Sequence, residues 1–269
     1  MPAVTEQRIP VWGERIQLNV QVAGSGPPLV YFHPAGGLFW DAFLESLTQH
    51  YTVYAPEHPG TSAGDPQAID QVDDLWDLVL IYGEMFEKLE LRGAATVGQS
   101  FGGMMACEIS ACYPDYVSKQ VLLAPLGLWR DDAPIKNYMI VPPTELPGLL
   151  FHEPNGEAAS RLLTLPEDPE AAIKAQAGMV WALACTGKFV WPIPDKGLAK
   201  RLHRVKAPTL AIWGREDQLI PSVYAQEFAN RIANCRVEII EKCGHVLQVE
   251  QAEETSRLVL DFLRKGKAE

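Results

Sequence analysis

The stretch Ala94-Ala95-Thr96-Val97-Gly98-Gln99-Ser100-Phe101-Gly102-Gly103-Met104-Met105-Ala106 constrains this chain more than any other. A short apolar run enters a G-x-S-x-G turn and leaves it as a helix of small residues, with Ser100 at the corner. A serine between a strand end and a helix start is forced into a tight, strained backbone, and glycines on both sides leave room for the turn. The helix behind it aims unpaired N–H groups at any charge that develops beside the hydroxyl. The bland alternative is a strand-end serine in an ordinary turn. The strand before it, Gly102-Gly103 for close packing behind, and an apolar run through Met105 and Ile109 to a stop at Pro114 favour a nucleophile.

The rest of the chain repeats this cadence. Val11, Ile16, Leu18, Val20 and Val22 alternate with polar residues and predict an antiparallel hairpin over 9–23. Leu29-Val30-Tyr31-Phe32 and Tyr51-Thr52-Val53-Tyr54-Ala55 are short apolar runs, as expected of strands buried on both faces. Helical spacing follows each, over Phe39–Leu47 and about Val72–Leu91, with a Gly/Pro-rich loop at 56–64 between. Further strands are predicted at Ala94–Val97, Gln120–Ala124, Thr209–Trp213 and Arg236–Ile240, and further helices at Ser222–Ile232 and Ala252–Leu263. Strand alternating with helix implies right-handed βαβ units: an α/β fold with a mostly parallel sheet of about eight strands flanked by helices. The rhythm breaks between residues 127 and 196, which are rich in Pro and show helical patches at Ala158–Leu165 and Glu170–Thr186. An insertion of that size predicts a helical lid over the strand ends, so residues 1–126 with 197–269 would form the core domain and 127–196 the cap.

A net charge of −11 argues against nucleic acid, whose phosphates need a basic surface. The five cysteines, Cys107, Cys112, Cys185, Cys235 and Cys243, form no C-x-x-C pair and suggest neither a zinc cluster nor a disulfide framework, so no metal is expected. The opening residues 1–8 lack an apolar core of signal-peptide length and no run approaches a membrane span, from which a cytoplasmic protein is expected. No feature fixes the oligomeric state; a homodimer stays open.

A serine hydroxyl is barely ionised at neutral pH and needs a base, and the base needs a group to hold its tautomer. Asp217 follows the predicted strand at Thr209–Trp213, and His245 follows the one at Arg236–Ile240. Both fall on the edge of the sheet where Ser100 lies, separated by stretches only the fold can close. His245 could instead cap a helix or fill a surface loop; its place after Cys243-Gly244 at a strand end favours catalysis.

That order of Ser, Asp and His resembles the alpha/beta hydrolase fold family, in its serine-nucleophile branch with a helical cap. The resemblance runs through the G-Q-S-F-G turn, the H-P-A-G-G loop at 33–37, the P-E-H-P-G loop at 56–60, the W-G-R-E-D-Q-L-I-P segment from Trp213 and the C-G-H at 243–245. It implies Ser100 as nucleophile, His245 as general base and then acid, and Asp217 as orienter. Glu216 is adjacent, and the family sometimes takes its acid after an earlier strand, where Asp131 and Asp132 are this chain's carboxylates. The oxyanion hole would use the backbone N–H of Phe101 and one from the loop at His33. That loop begins His-Pro instead of the family's usual His-Gly, which removes the N–H at 34 and makes Ala35 the second donor. His33, His58 and Glu57 are expected to shape the site.

The implied reaction is hydrolysis of a carboxylic ester, thioester or lactone through an acyl-serine intermediate, with no cofactor. A second reading is carbon–carbon hydrolysis of the vinylogous diketones left by aromatic ring cleavage, whose carboxylate wants a cation; Lys174, Lys188, Arg130 and Lys136 are the candidates. A third is a small-molecule receptor that keeps the triad and turns over slowly. The partner expected is a small molecule with an apolar acyl or aromatic part, and Trp181, Phe189 and Trp191 are the lid aromatics expected to touch it.

Overall fold

The computed structural model describes residues 3–265, so the first two and last four positions assigned to the core domain, including the start of the segment read for a leader, lie outside the described residues. The chain runs β1 (Thr5–Val11), β2 (Ile16–Gly24), β3 (Pro28–Phe32), α1 (Ala42–Thr48), β4 (Thr52–Pro56), α2 (Leu75–Lys88), β5 (Ala94–Gln99), α3 (Phe101–Cys112) and β6 (Val117–Leu123). It then leaves the sheet for α4 (Leu146–Leu150), α5 (Glu157–Leu163) and α6 (Pro169–Val190). It returns as β7 (Thr209–Gly214), α7 (Val223–Ala229), β8 (Cys235–Ile240), α8 (Leu247–Glu250) and α9 (Ala252–Arg264). The eight strands form one sheet in the order β1-β2-β4-β3-β5-β6-β7-β8. The hairpin β1–β2 and the β2–β4 pair are antiparallel, and every pair from β4 to β8 is parallel.

Helices cover both faces, and adjacent residues of β3 show how. The Tyr31 ring meets Phe43 of α1 at 6.3 Å, while Phe32 meets Tyr82 of α2 edge-on at 5.1 Å. Successive strand side chains point to opposite faces, so α1 and α2 lie on opposite sides of the sheet. α1 packs with α9 on one side, and α2 with α3 on the other. β5 is buried along its whole length, as its small apolar sequence requires at the centre of a two-faced sheet.

Helix starts differ from those expected because side-chain caps override apolar periodicity. α1 begins at Ala42 instead of Phe39, since the Asp41 carboxylate accepts from Leu44 N at 2.9 Å. α2 begins at Leu75 instead of Val72, since Asp74 accepts from Trp76 N and Asp77 N. α4 and α8, each five residues or fewer, are too short for a periodic signal and were not expected.

The two ends of the inserted segment meet. Gly127 has φ +110°, and a Cβ there would lie 2.5 Å from Leu198 Cδ2. Arg201, just beyond, ties this junction to α3. Its guanidinium makes a two-pronged bond to Glu108, whose side chain is 1% exposed, at 2.7 and 2.6 Å. Removing one partner of a buried pair strands the other charge. Arg201→Met is expected to cost about 3 kcal/mol or more, read as a melting temperature lower by roughly 6–12 °C. The double change Arg201→Met with Glu108→Leu should recover most of that loss.

Candidate active site

The parallel register brings the carboxyl ends of β3, β5, β7 and β8 to one edge, and the side chains predicted from sequence converge there. Ser100 has φ 56° and ψ −115°, a left-handed conformation that costs a non-glycine residue about 1–3 kcal/mol. Its N–H donates to Leu123 O at 2.9 Å, and its carbonyl accepts from Met104 N and Leu126 N, so β6 and α3 hold the corner. The neighbouring glycines allow that approach: a Cβ on Gly102 would sit 1.9 Å from Phe32 O, and one on Gly98 would sit 2.3 Å from Gly102 O.

His245 Nε2 is 3.0 Å from Ser100 Oγ, and its Nδ1 is 2.8 Å from Asp217 Oδ2. The other Asp217 oxygen accepts from Leu219 N and Ile220 N at 2.9 and 2.8 Å. All three residues are buried. The carboxylate therefore holds Nδ1 protonated and leaves Nε2 free to accept the serine proton. The competing acids are engaged elsewhere. Glu216 accepts from Cys243 N, Asp131 accepts from the Trp129 indole, and Asp132 pairs with Arg130.

Phe101 supplies the first amide of α3, directly after Ser100, and Ala35 lines the same cavity as Ser100 and His245. Neither N–H has a hydrogen-bond partner among the described residues. The Ala35 carbonyl is held by Thr186 Oγ1 of α6 at 3.2 Å. His33 and His58 build the loop around it. His33 Nδ1 donates to Pro34 O at 2.7 Å and its Nε2 accepts from His58 N at 3.0 Å; His58 Nε2 donates to His33 O and its Nδ1 accepts from the Tyr82 hydroxyl. Both rings are buried without a carboxylate partner, and burial holds His33 down at about 4 and His58 well below the ordinary range. Glu57 braces the next loop by accepting from Asn19 and Gln21.

The cavity at Ser100 measures about 130 Å³, room for roughly four waters at liquid density. Leu146, Leu150, Leu162, Leu163, Met179 and Leu183 wall it from the inserted segment. The lid aromatics expected there are elsewhere, which corrects that expectation. Trp181 is 46% exposed and faces an outer groove, Phe189 stacks on Phe101 at 6.3 Å, and Trp191 packs edge-on against Tyr138. The reason is helical phase. Met179 and Leu183 share one stripe of α6 at i, i+4, and Trp181 falls about 200° round the helix from Met179.

Sequence reasoning also missed the tie between the segment and the base. His245 N donates to Leu150 O at 2.7 Å, and Glu250 accepts from Gly244 N as well as His152 N and Glu153 N. A glutamate five residues after a histidine carries no pattern that would reveal this. Tyr31, Asp41, Gln99 and Gln248 likewise line the cavity, and only Gln99 stood inside a motif. Among the described residues there is no group of three or more metal-ligating side chains, and no helix is long and apolar enough to cross a membrane.

A strained serine at a strand-to-helix corner, bonded to a histidine that an aspartate orients, under a helical segment on a mostly parallel sheet, defines an α/β hydrolase. The chain belongs to the alpha/beta hydrolase family, whose model matches residues 29–258. It is 28% identical to 2-hydroxy-6-oxo-6-phenylhexa-2,4-dienoate hydrolase of Burkholderia cepacia, over 94% of this chain and 92% of that protein. It is 29% identical to monoacylglycerol lipase ABHD6 of Homo sapiens, over 82% of this chain and 69% of that protein. The fold matches that of the meta-cleavage product hydrolase from Pseudomonas fluorescens IP01 with a TM-score of 0.70, at 21% identity, over 96% of this chain and 97% of that one.

Two measurements check this site. In Asp217→Asn the backbone donors at Leu219 and Ile220 keep the amide oxygen, so the amide NH₂ faces Nδ1 and forces the wrong tautomer; kcat should fall on the order of 10⁴-fold with the fold intact. In an NMR titration, the His33 ring should take up its proton only near pH 4. Between pH 6.5 and 4 the unfolded chain then binds a proton at this ring that the folded chain refuses. His33 therefore removes up to about 3 kcal/mol of stability as pH falls through that window. Asp41, raised by burial to about 6, works in the opposite direction.

Proposed function

We propose that the protein hydrolyses a carboxylic ester, thioester or lactone with an uncharged, apolar acyl part, using Ser100 as nucleophile, His245 as base and acid, and Asp217 as orienter. Residues 127–196 act as the cap that shapes the pocket. The observation that carries this reading is the make-up of the cavity: six leucines, two valines and a methionine line it, and neither Lys nor Arg is among its lining residues.

In this reading Ser100 Oγ attacks the carbonyl carbon as its proton passes to His245 Nε2. The carbonyl oxygen becomes an oxyanion facing the N–H groups of Ala35 and Phe101, each such donor contributing on the order of 3 kcal/mol. Collapse breaks the carbon–oxygen or carbon–sulfur bond, and the leaving group departs with the proton from His245. Water then gives a proton to the same nitrogen and attacks the acyl-serine. The acid is released and Ser100 regains its hydrogen.

The carbon–carbon reading is supported by the Burkholderia cepacia relative, whose name specifies a dienoate substrate. A dienoate carries a carboxylate, and the cations suggested for it are placed for other work. Lys188 donates to Val72 O, Arg130 is paired with Asp132 and Glu227, and Lys174 lies in the outer groove. Lys136 is not among the cavity's lining residues. An unpaired carboxylate buried among leucines is costly, which favours the uncharged ester.

Steady-state release of p-nitrophenol from acetate to octanoate esters tests the proposal. Sustained turnover that falls by roughly 10⁵-fold or more in Ser100→Ala is expected. A ring-cleavage dienone consumed faster than every ester would transfer the assignment to carbon–carbon hydrolysis, and a single burst without turnover would favour the receptor.

A further inference from the structure

The wall of the cavity at Ser100 is not wholly apolar, for Tyr31, Asp41, Gln99, Tyr138 and Gln248 also line it. Asp41 lines it from the start of α1. One carboxylate oxygen caps that helix through Leu44 N at 2.9 Å, and no cation pairs with Asp41 among the described residues. Tyr31 lines the same cavity, and both burial and the neighbouring Asp41 charge raise its phenol, which stays protonated. Gln99 gives its NH₂ to His245 O at 3.3 Å, which turns its carbonyl oxygen away without a partner. The Gln248 carbonyl oxygen, on α8 beyond His245, is likewise buried and unpartnered. Gln99 and Gln248 are 1% and 5% exposed and both oxygens are closed to a water-sized group, which leaves Asp41 as the acceptor available to a ligand.

Only one Asp41 oxygen has a hydrogen-bond partner among the described residues, so a ligand hydroxyl that donates to the other gains a charge-assisted bond. A ligand that brings a carboxylate adds a like charge beside Asp41 in a medium of low dielectric. Resting on the serine-nucleophile reading, we propose that Asp41 selects substrates bearing a neutral hydroxyl group and rejects those bearing a free carboxylate. A neutral donor fits better than an ammonium, whose desolvation among leucines a single carboxylate does not repay.

The test measures how fast Ser100 is labelled by alkyl fluorophosphonates whose chains of several lengths end in methyl, hydroxyl or carboxylate. In the labelling step Ser100 Oγ bonds to phosphorus, the phosphorus–fluorine bond breaks, fluoride leaves and the hydroxyl proton goes to His245. In the native protein the hydroxyl-ended reagent should react fastest, and the carboxylate-ended one about tenfold or more slower than the methyl-ended one at the chain length that reaches Asp41. Asp41→Asn and Asp41→Ser both retain a helix cap. In each the carboxylate penalty should shrink about tenfold and the hydroxyl advantage diminish, both read as ratios to the methyl-ended rate of the same protein. End-group ratios identical in native protein and both variants would overturn the assignment of Asp41 while leaving the serine reading standing. Labelling that never reaches Ser100 with any reagent would remove the serine reading, and this inference with it.

Discussion

The backbone of Ser100 is the constraint on which the rest of the site depends. A positive φ at a non-glycine residue persists only where its surroundings over-determine it. Here the amide is held by Leu123 of β6, and the carbonyl by Met104 of α3 and Leu126 beyond β6. Gly98 and Gly102 let β5, α3 and the end of β3 approach closer than any side chain would allow. The strain is thus distributed over three elements, none of which can shift alone. What it secures is a hydroxyl fixed above the sheet edge, where a base from a distant part of the chain can meet it.

That meeting depends on register. β7 and β8 pair in parallel from Thr209 with Cys235 to Gly214 with Ile240, so the loops carrying Asp217 and His245 leave the sheet side by side. Their backbones touch: a Cβ on Gly214 would lie 2.1 Å from Gly244 O. The inserted segment joins the same knot through Leu150 O and the Glu250 carboxylate. Its other end grips the Ala35 loop through Thr186. A segment bonded both to the histidine loop and to the loop bearing the second amide couples pocket shape to the position of the reacting groups.

Much of this was legible in the sequence because strands buried on two faces, glycine-flanked turns and strand-end polar residues each leave a local signature. Ser100, Asp217 and His245 were read that way, as was the structural use of His33. The inserted segment was harder. Two of its helices, α5 and α6, were found and α4 was not; Trp181 and Trp191 attracted attention by size, while the leucines of the cavity differ from ordinary core leucines only in phase. Whether a leucine faces a core or a ligand depends on how α4, α5 and α6 cross the strand ends, which no local pattern encodes. Asp41 shows the same limit. As a helix cap it is ordinary, and only the fold reveals that the cap opens into the cavity.

Three histidines at one sheet edge show how environment divides roles among identical side chains. His33 and His58 face each other at 3.9 Å between ring centroids. Their nitrogens are used up by carbonyls, an amide and a phenol, and burial, which at His33 outweighs the nearby Glu57 charge, keeps both neutral. A ring so engaged cannot exchange protons with a substrate; it can only fix a loop. His245 is as deeply buried, but Asp217 stands behind it, so an imidazolium formed there has a partner and the remaining nitrogen points at an alcohol. Burial alone makes a histidine structural. Burial together with an oriented carboxylate equips it to act as a base, and in this chain that difference lies in a single contact of 2.8 Å.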